Sequence, residues 1–271
     1  MTEGDSIMKI GFIGCGNMAS AIIGGILKNQ IAEKEDILAS DAYAPSLEKA
    51  KANLGIGTTA DNKVTAAESD VLFLSVKPQY YETVIAEIKD IITEKQIVVT
   101  IAPGKTLAWL SEQFGKTVKI VRCMPNTPAM VGEGMTAATP NEHVTAEELE
   151  TVCSILNAFG KTEVIGEHLM DAVVSVSGSS PAYVYMMIEA MADAAVADGM
   201  PRPQAYQFAA QAVMGSAKMV LETGKHPGEL KDMVCSPAGT TIEAVRVLEE
   251  KGFRSSIMEA MKACTAKAKG M

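Results

Sequence analysis

Near the end of the chain, residues suited to holding an anion crowd into one short stretch: Ser236, Gly239, Thr240 and Thr241, within Val234-Cys235-Ser236-Pro237-Ala238-Gly239-Thr240-Thr241-Ile242. Ala244, Val245 and Leu248 follow at helical spacing, so a helix is predicted to begin here. The first turn of a helix leaves backbone N–H groups without partners, and partial positive charge gathers there. Small residues keep those N–H groups open and hydroxyls add further donors, which suits an anion the size of a carboxylate. An ordinary N-cap would need a single Ser or Thr. This stretch has more than that need.

A second anion site is written at the other end of the chain. Lys9-Ile10-Gly11-Phe12-Ile13 reads as a strand, Gly14-Cys15-Gly16-Asn17-Met18-Ala19 as a turn, and the apolar periodicity that follows to Leu27 as a helix. In this setting Gly14 permits a tight turn, Gly16 lets the backbone approach a pyrophosphate, and Ala19 stands where close helix–strand packing is wanted. The bland alternative is a plain turn between strand and helix.

Other segments follow predicted strands, where ligands bind in sheets of this kind. Asp41, after Ser40, either accepts the ribose hydroxyls of a nucleotide and repels a 2′-phosphate, or is a turn aspartate. Lys77, in Ser75-Val76-Lys77-Pro78, either reaches a ligand oxygen or is a surface lysine. Thr100-Ile101-Ala102-Pro103-Gly104 has small residues against which a flat ring can lie. Asn126, in Met124-Pro125-Asn126-Thr127-Pro128, offers an amide to the same crevice or serves a structural turn. His226 sits in a Gly-Lys-His-Pro-Gly turn and reads as a turn residue rather than a general acid. Glu189 and Asp193 share a helix face, but with no third ligand near them a solvated or subunit-facing edge is the expectation, not a metal site.

The elements that must position these groups come in two patterns. Strands are predicted at Lys9–Ile13, Asp36–Ser40, Val71–Val76, Ile97–Ile101 and Val118–Cys123, with helices between them, including Met18–Lys28 and Tyr80–Ile92. The continuously apolar runs Val71-Leu72-Phe73-Leu74 and Ile97-Val98-Val99 suit parallel strands covered on both faces. Thr145-Ala146-Glu147-Glu148 reads as a capping box. From about Asp171 helices dominate. Pro181–Asp198 is one, and Pro203–Thr223 a second whose charges are Lys218 and Glu222. A helix so apolar all round wants burial all round, so subunit contact is expected. The fold class is a Rossmann-like, doubly wound α/β sheet (residues 1–168) followed by an all-α dimerisation and substrate-binding domain (169–271).

Composition bounds the rest. The chain has 271 residues, 48% hydrophobic and 21% charged, as in ordinary globular proteins. A net charge of -9 argues against nucleic acid or an anionic membrane as partner. No N-terminal signal-peptide layout and no apolar run of the ~18 residues needed for a membrane span is found. The cysteines number 5, an odd count, without a C-x-x-C pair, as for free thiols in a reducing cytoplasm. A cytoplasmic location and no metal are expected.

Taken together, the motifs resemble the pyrroline-5-carboxylate reductase family. Gly11-Phe12-Ile13-Gly14-Cys15-Gly16-Asn17-Met18 resembles its cofactor turn. Ser75-Val76-Lys77-Pro78 and Cys123-Met124-Pro125-Asn126-Thr127-Pro128 resemble its next two motifs, and Ser177-Gly178-Ser179-Ser180-Pro181-Ala182-Tyr183 its hinge. His226-Pro227-Gly228-Glu229-Leu230-Lys231-Asp232 and Ser236-Pro237-Ala238-Gly239-Thr240-Thr241-Ile242 resemble its C-terminal signature, the specific part of the match. The resemblance implies reduction of Δ1-pyrroline-5-carboxylate to L-proline by NADPH or NADH, the last step of proline biosynthesis. It implies an intertwined homodimer, often assembled further. It also implies that Ile13, Gly14, Cys15, Gly16, Asn17, Met18, Asn62, Ser75, Val76, Lys77, Pro78, Ile101, Ala102 and Pro103 line the cofactor. Ser236, Gly239, Thr240 and Thr241 would hold the substrate carboxylate and imine, with the Thr241 hydroxyl donating toward the ring nitrogen. Ser180 departs from a common glycine without consequence. Asp41 stands where relatives have Ser, Thr or Arg for a 2′-phosphate, which sets NADH use against the family habit. The alternative readings are a β-hydroxyacid dehydrogenase, which would want a lysine acid on a second-domain helix, and a non-catalytic nucleotide-binding protein.

Overall fold

The computed structural model describes residues 8–270. The outer limits of the two expected domains, residues 1 and 271, lie outside these, as does the extreme N-terminus read for a signal peptide. Among the described residues one sheet has eight strands: β1 (Ile10–Ile13), β2 (Ile37–Ser40), β3 (Gly57–Thr59), β4 (Val71–Leu74), β5 (Ile97–Thr100), β6 (Lys119–Met124), β7 (Gly134–Pro140) and β8 (Gly160–Val164). Their order is β3-β2-β1-β4-β5-β6-β7-β8, and neighbours run parallel except β6 and β7. The chain moves outward from β1 to β3, then returns to the other side of β1 as β4. That reversal between β1 and β4 opens a crevice at the strands' C-terminal ends, the place where such sheets bind ligands.

The helices α1 (Asn17–Lys28), α2 (Ala44–Leu54), α3 (Asn62–Glu68), α4 (Tyr81–Ile88), α5 (Leu107–Phe114), α6 (Ala146–Asn157) and α7 (Met170–Val173) accompany the strands. Both faces of the sheet are covered. In β4, Val71 and Phe73 join a core with α1 (Ile22, Ile23, Ile26) and α6 (Val152, Ile155, Leu156). Leu72 and Leu74 join another with α4 (Ile85, Ile88) and α5 (Leu110, Phe114). Phe12 and Phe73 stack across β1 and β4 with ring centroids 4.8 Å apart. Complete burial of each is worth about 1.5–3 kcal/mol, which pins the two strands that flank the crevice. The capping box expected at Thr145 and Glu148 is formed at the start of α6.

Some strands differ from the expectation. β3, β7 and β8 were not legible, because β3 is only Gly-Thr-Thr, β7 (Gly-Met-Thr-Ala-Ala-Thr-Pro) has alanines at its centre between Gly and Pro, and β8 (Gly-Lys-Thr-Glu-Val) is charged and largely exposed, so none shows an apolar run. The expected strand Val71–Val76 ends at Leu74. Ser75 leaves the ladder because its N–H donates to Ile13 O at 2.9 Å and its Oγ–H lies within bonding distance of Ile13 O and Gly14 O.

Contacts divide the chain into two compact units: residues up to Gly178 together with those from Thr265 onward, and Ser179–Cys264. The second holds α8 (Ser180–Ala197), α9 (Arg202–Thr223), α10 (Pro227–Val234), α11 (Thr240–Glu250) and most of α12 (Phe253–Ala268). Within it α8 and α9 pack on each other. Ala192, Ala205 and Ala209 are its buried apolar residues among those described, whereas Phe208 and Leu221 are 67% and 68% exposed. Such a unit has almost no core of its own. No helix among the described residues is long and apolar enough to cross a membrane.

Candidate active site

The glycine turn is locked from below. Gly14 has φ +106°, a left-handed conformation, and a Cβ there would lie 2.8 Å from the carbonyl carbon and oxygen of Ser75. Its N–H donates to Ser40 O at 2.7 Å, so glycine at this position is required by the protein's own backbone. Gly16 differs. It has φ −69°, open to any residue, and a Cβ there would meet nothing within 4 Å. It is the N-cap of α1, without a side-chain cap and without an acidic residue in the first turn. Free space over uncapped N–H groups of Gly16, Asn17 and Met18 fits a pyrophosphate. The chain's own packing gives no other reason for that glycine.

Beside the turn lies a cavity of about 400 Å³. Ile13, Gly14, Asp41, Asn62 and Val76 line it, so the sequence-predicted residues from four different segments come together. Asp41 Oδ2 accepts from the N–H of Cys15 at 2.8 Å, and Oδ1 from the N–H of Tyr43 at 2.8 Å. The aspartate therefore ties the end of β2 to the glycine turn while still facing the cavity. Each carboxylate oxygen keeps a lone pair for a further donor. The Cys15 thiol is pushed up to about 12, by burial first and by the Asp41 charge second, so it stays neutral beside the turn.

Other expected cofactor residues have mixed places. Ser75 works beneath the turn, bonded to its carbonyls. Lys77 is exposed and Pro78 opens a short 3-10 turn. Ile101, Ala102 and Pro103 follow β5; the Tyr81 hydroxyl fixes them, donating to Leu74 O at 2.5 Å and accepting from the Ile101 N–H at 3.3 Å. Burial raises the Tyr81 hydroxyl well above the usual phenol range, so it remains a donor. Asn126 is committed to backbone: its Oδ1 accepts from the Met135 N–H at 2.8 Å and its Nδ2–H donates to Ser177 O at 3.1 Å. It serves the turn.

The predicted helix start at Gly239 is present, as α11. Gly239 caps it with extended backbone and no side chain caps it. The Oγ atoms of Ser236, Thr240 and Thr241 have no hydrogen-bond partner among the described residues, and all three residues are exposed or half-buried. A Cβ at Gly239 would lie 2.3 Å from Ser236 Oγ, so the glycine keeps that hydroxyl at the helix start. Ala238 has φ +57°, which costs roughly 1 kcal/mol and marks a strained turn of the sort found at functional sites. His226 caps α10, its Nδ1 accepting from the Gly228 N–H at 3.0 Å, and Asp193 pairs with Arg202.

The residue reading missed the far wall of the cavity. Tyr80, Thr83, Val84 and Glu87 line it from α4 and the turn before it. Their i, i+3, i+4, i+7 spacing was the available signal, and it also fits an ordinary core stripe.

Residues 167–271 match the family described as pyrroline-5-carboxylate reductase dimerisation, and residues 9–104 the NADP oxidoreductase, coenzyme F420-dependent family. The chain is 55% identical over 263 residues to a pyrroline-5-carboxylate reductase of Escherichia coli strain K12, covering 96% of this chain and 97% of that one. It is 47% identical to the Methanosarcina acetivorans protein of the same name, covering 93% and 94%. A solved pyrroline-5-carboxylate reductase from Coxiella burnetii superposes with TM-score 0.91 at 35% identity, over 98% of each chain. A Plasmodium falciparum pyrroline carboxylate reductase with NADP bound gives 0.88 at 32%, over 98% and 99%.

Proposed function

The chain belongs to the pyrroline-5-carboxylate reductase family, and from that premise we propose how its own residues carry the reduction of Δ1-pyrroline-5-carboxylate to L-proline by NAD(P)H, the last step of proline biosynthesis. When bound, the reduced nicotinamide supplies the hydride. The protein's part is binding, orientation and electrostatics. The N–H groups of Gly16, Asn17 and Met18 hold the pyrophosphate. Asp41 and Asn62, on the wall of the neighbouring cavity, serve the adenosine half. Ile101, Ala102 and Pro103 offer a flat surface to the ring, and Lys77 and Pro78 border it.

The substrate is a cyclic imine with a carboxylate. Its carbon accepts hydride poorly until the nitrogen is protonated or strongly hydrogen-bonded. The N–H groups at the start of α11 and the Ser236 and Thr240 hydroxyls take the carboxylate, and Gly239 leaves them room. The Thr241 hydroxyl donates to the ring nitrogen and draws charge from the C=N bond. What carries this assignment is the start of α11: a helix with no side-chain cap beside hydroxyls that have no partner among the described residues.

The enzyme works as a homodimer with intertwined helical domains, residues 169–271 serving dimerisation and substrate binding and 1–168 the cofactor, and it is cytoplasmic. The exposed apolar face of α8 and α9 supports the dimer. Replacing Thr241 tests the substrate assignment: Thr241→Ala lowers kcat by about 10- to 100-fold with cofactor affinity intact, since one positioned hydrogen bond is worth roughly 1.5–3 kcal/mol. Wild-type turnover in that variant removes Thr241 from the reaction.

A further inference from the structure

Asn62, at the start of α3, is held from both sides. Ser40 Oγ–H donates to its Oδ1 at 2.8 Å, and its Nδ2–H donates to Glu87 Oε2 at 2.7 Å. Ser40 is completely buried at the end of β2, while Glu87 stands exposed on α4. Asn62 and Glu87 both line the cavity beside the glycine turn.

A side-chain amide has nearly the same shape in its two orientations, which exchange a donor for an acceptor. Ser40 does not choose between them, because a hydroxyl both donates and accepts. An ionised carboxylate only accepts. Glu87 therefore decides which way the amide faces. With one N–H given to Glu87, the other has no partner among the described residues of the chain. We infer that Glu87 is a positioning residue for the cofactor: it fixes the Asn62 amide so that a free N–H serves the adenosine half of the dinucleotide. This rests on the reading of the cavity as the adenosine site. A role for Glu87 through its charge makes the opposite forecast, since a carboxylate near a phosphorylated ligand weakens binding.

The probe is ADP-ribose, which has the adenosine and pyrophosphate without the nicotinamide, titrated into the full chain by calorimetry. Glu87→Ala is expected to weaken its Kd by about three- to tenfold, the usual scale of one partly exposed hydrogen bond. Glu87→Gln, whose amide donates as well as accepts, no longer forces the Asn62 orientation and should weaken binding as well, whereas loss of a merely repulsive charge would tighten it. Asn62→Ala should weaken binding at least as much as Glu87→Ala. The double variant should bind no more weakly than Asn62→Ala alone, because the two residues act through one amide. Melting temperatures close to wild type exclude a merely structural loss. Equal or tighter binding by Glu87→Ala or Glu87→Gln, or additive losses in the double variant, overturn the inference. If Asn62→Ala binds ADP-ribose normally, the reading of the cavity falls and takes this one with it. If Asn62→Ala weakens binding and Glu87→Ala does not, only the positioning role is lost.

Discussion

Asp41 shows how one side chain can serve both fold and ligand. Its carboxylate accepts from the N–H groups of Cys15 and Tyr43, yet it lines the cavity proposed for the adenosine half. A 2′-phosphate there would face that charge, and among the described residues no lysine or arginine lines the cavity to offset it. Like charges at this range in a partly solvated site cost roughly 1–3 kcal/mol, about 5- to 150-fold in relative affinity. The wild type is therefore expected to use NADH at least as well as NADPH, and Asp41→Ser to lower KM for NADPH. Steady-state KM values for both cofactors check it; a wild-type preference for NADPH of about tenfold or more means the charge does not govern the choice. Asp41→Asn, which keeps an acceptor for the turn, separates charge from architecture. At this scale the sequence told where chemistry-bearing residues lie but not what they hold. The resemblance put Ser75 beside the cofactor, and Asn126 was open between the crevice and a structural turn; in the structure the polar atoms of both serve backbone groups from distant segments. Those partners depend on register and side-chain orientation, which spacing does not encode.

The glycine turn is the element proposed to hold the cofactor's pyrophosphate, and its two glycines are expected to fail differently. Gly14→Ala forces a Cβ against the Ser75 backbone in a left-handed conformation, so it should destabilise the protein by more than about 1–2 kcal/mol. Gly16→Val has open space and permitted backbone angles, so its stability loss should stay near about 1 kcal/mol, the scale of a lost N-cap preference. The same valine fills the pyrophosphate's place and should cut cofactor affinity by at least about tenfold. Thermal melts and cofactor titration on both variants separate these outcomes; a Gly16→Val enzyme with normal affinity would remove the pyrophosphate from that position. β1, β4 and β5 were legible because they are short, mostly apolar runs, every residue of which is buried. β7 was not, because Ala137, Ala138 and their neighbours owe their strand to pairing with β6 and β8 rather than to local preference.

At the scale of the whole molecule, the helical unit exposes many large apolar side chains, such as Tyr185, Met186, Phe208 and Leu221, and is nearly coreless within. That contrast follows from the composition of Pro203–Thr223, which was legible, whereas the faces of α8 and α9 left uncovered required the structure. Phe208, exposed on α9, is the probe of a subunit interface. Phe208→Glu should give a folded monomer with little activity, since an unpaired charge in an apolar interface is costly to bury. Sedimentation and turnover, measured on the same sample, check it; a fully active monomer contradicts the intertwined dimer. The most direct measurement for the account as a whole is the loss of reduced nicotinamide absorbance with Δ1-pyrroline-5-carboxylate, NADH and NADPH each in turn, with the product identified. The account predicts substrate-dependent oxidation of the cofactor with one L-proline formed for each hydride consumed. Cofactor binding without oxidation in either case, or oxidation only with a keto acid or semialdehyde as hydride acceptor, would contradict it.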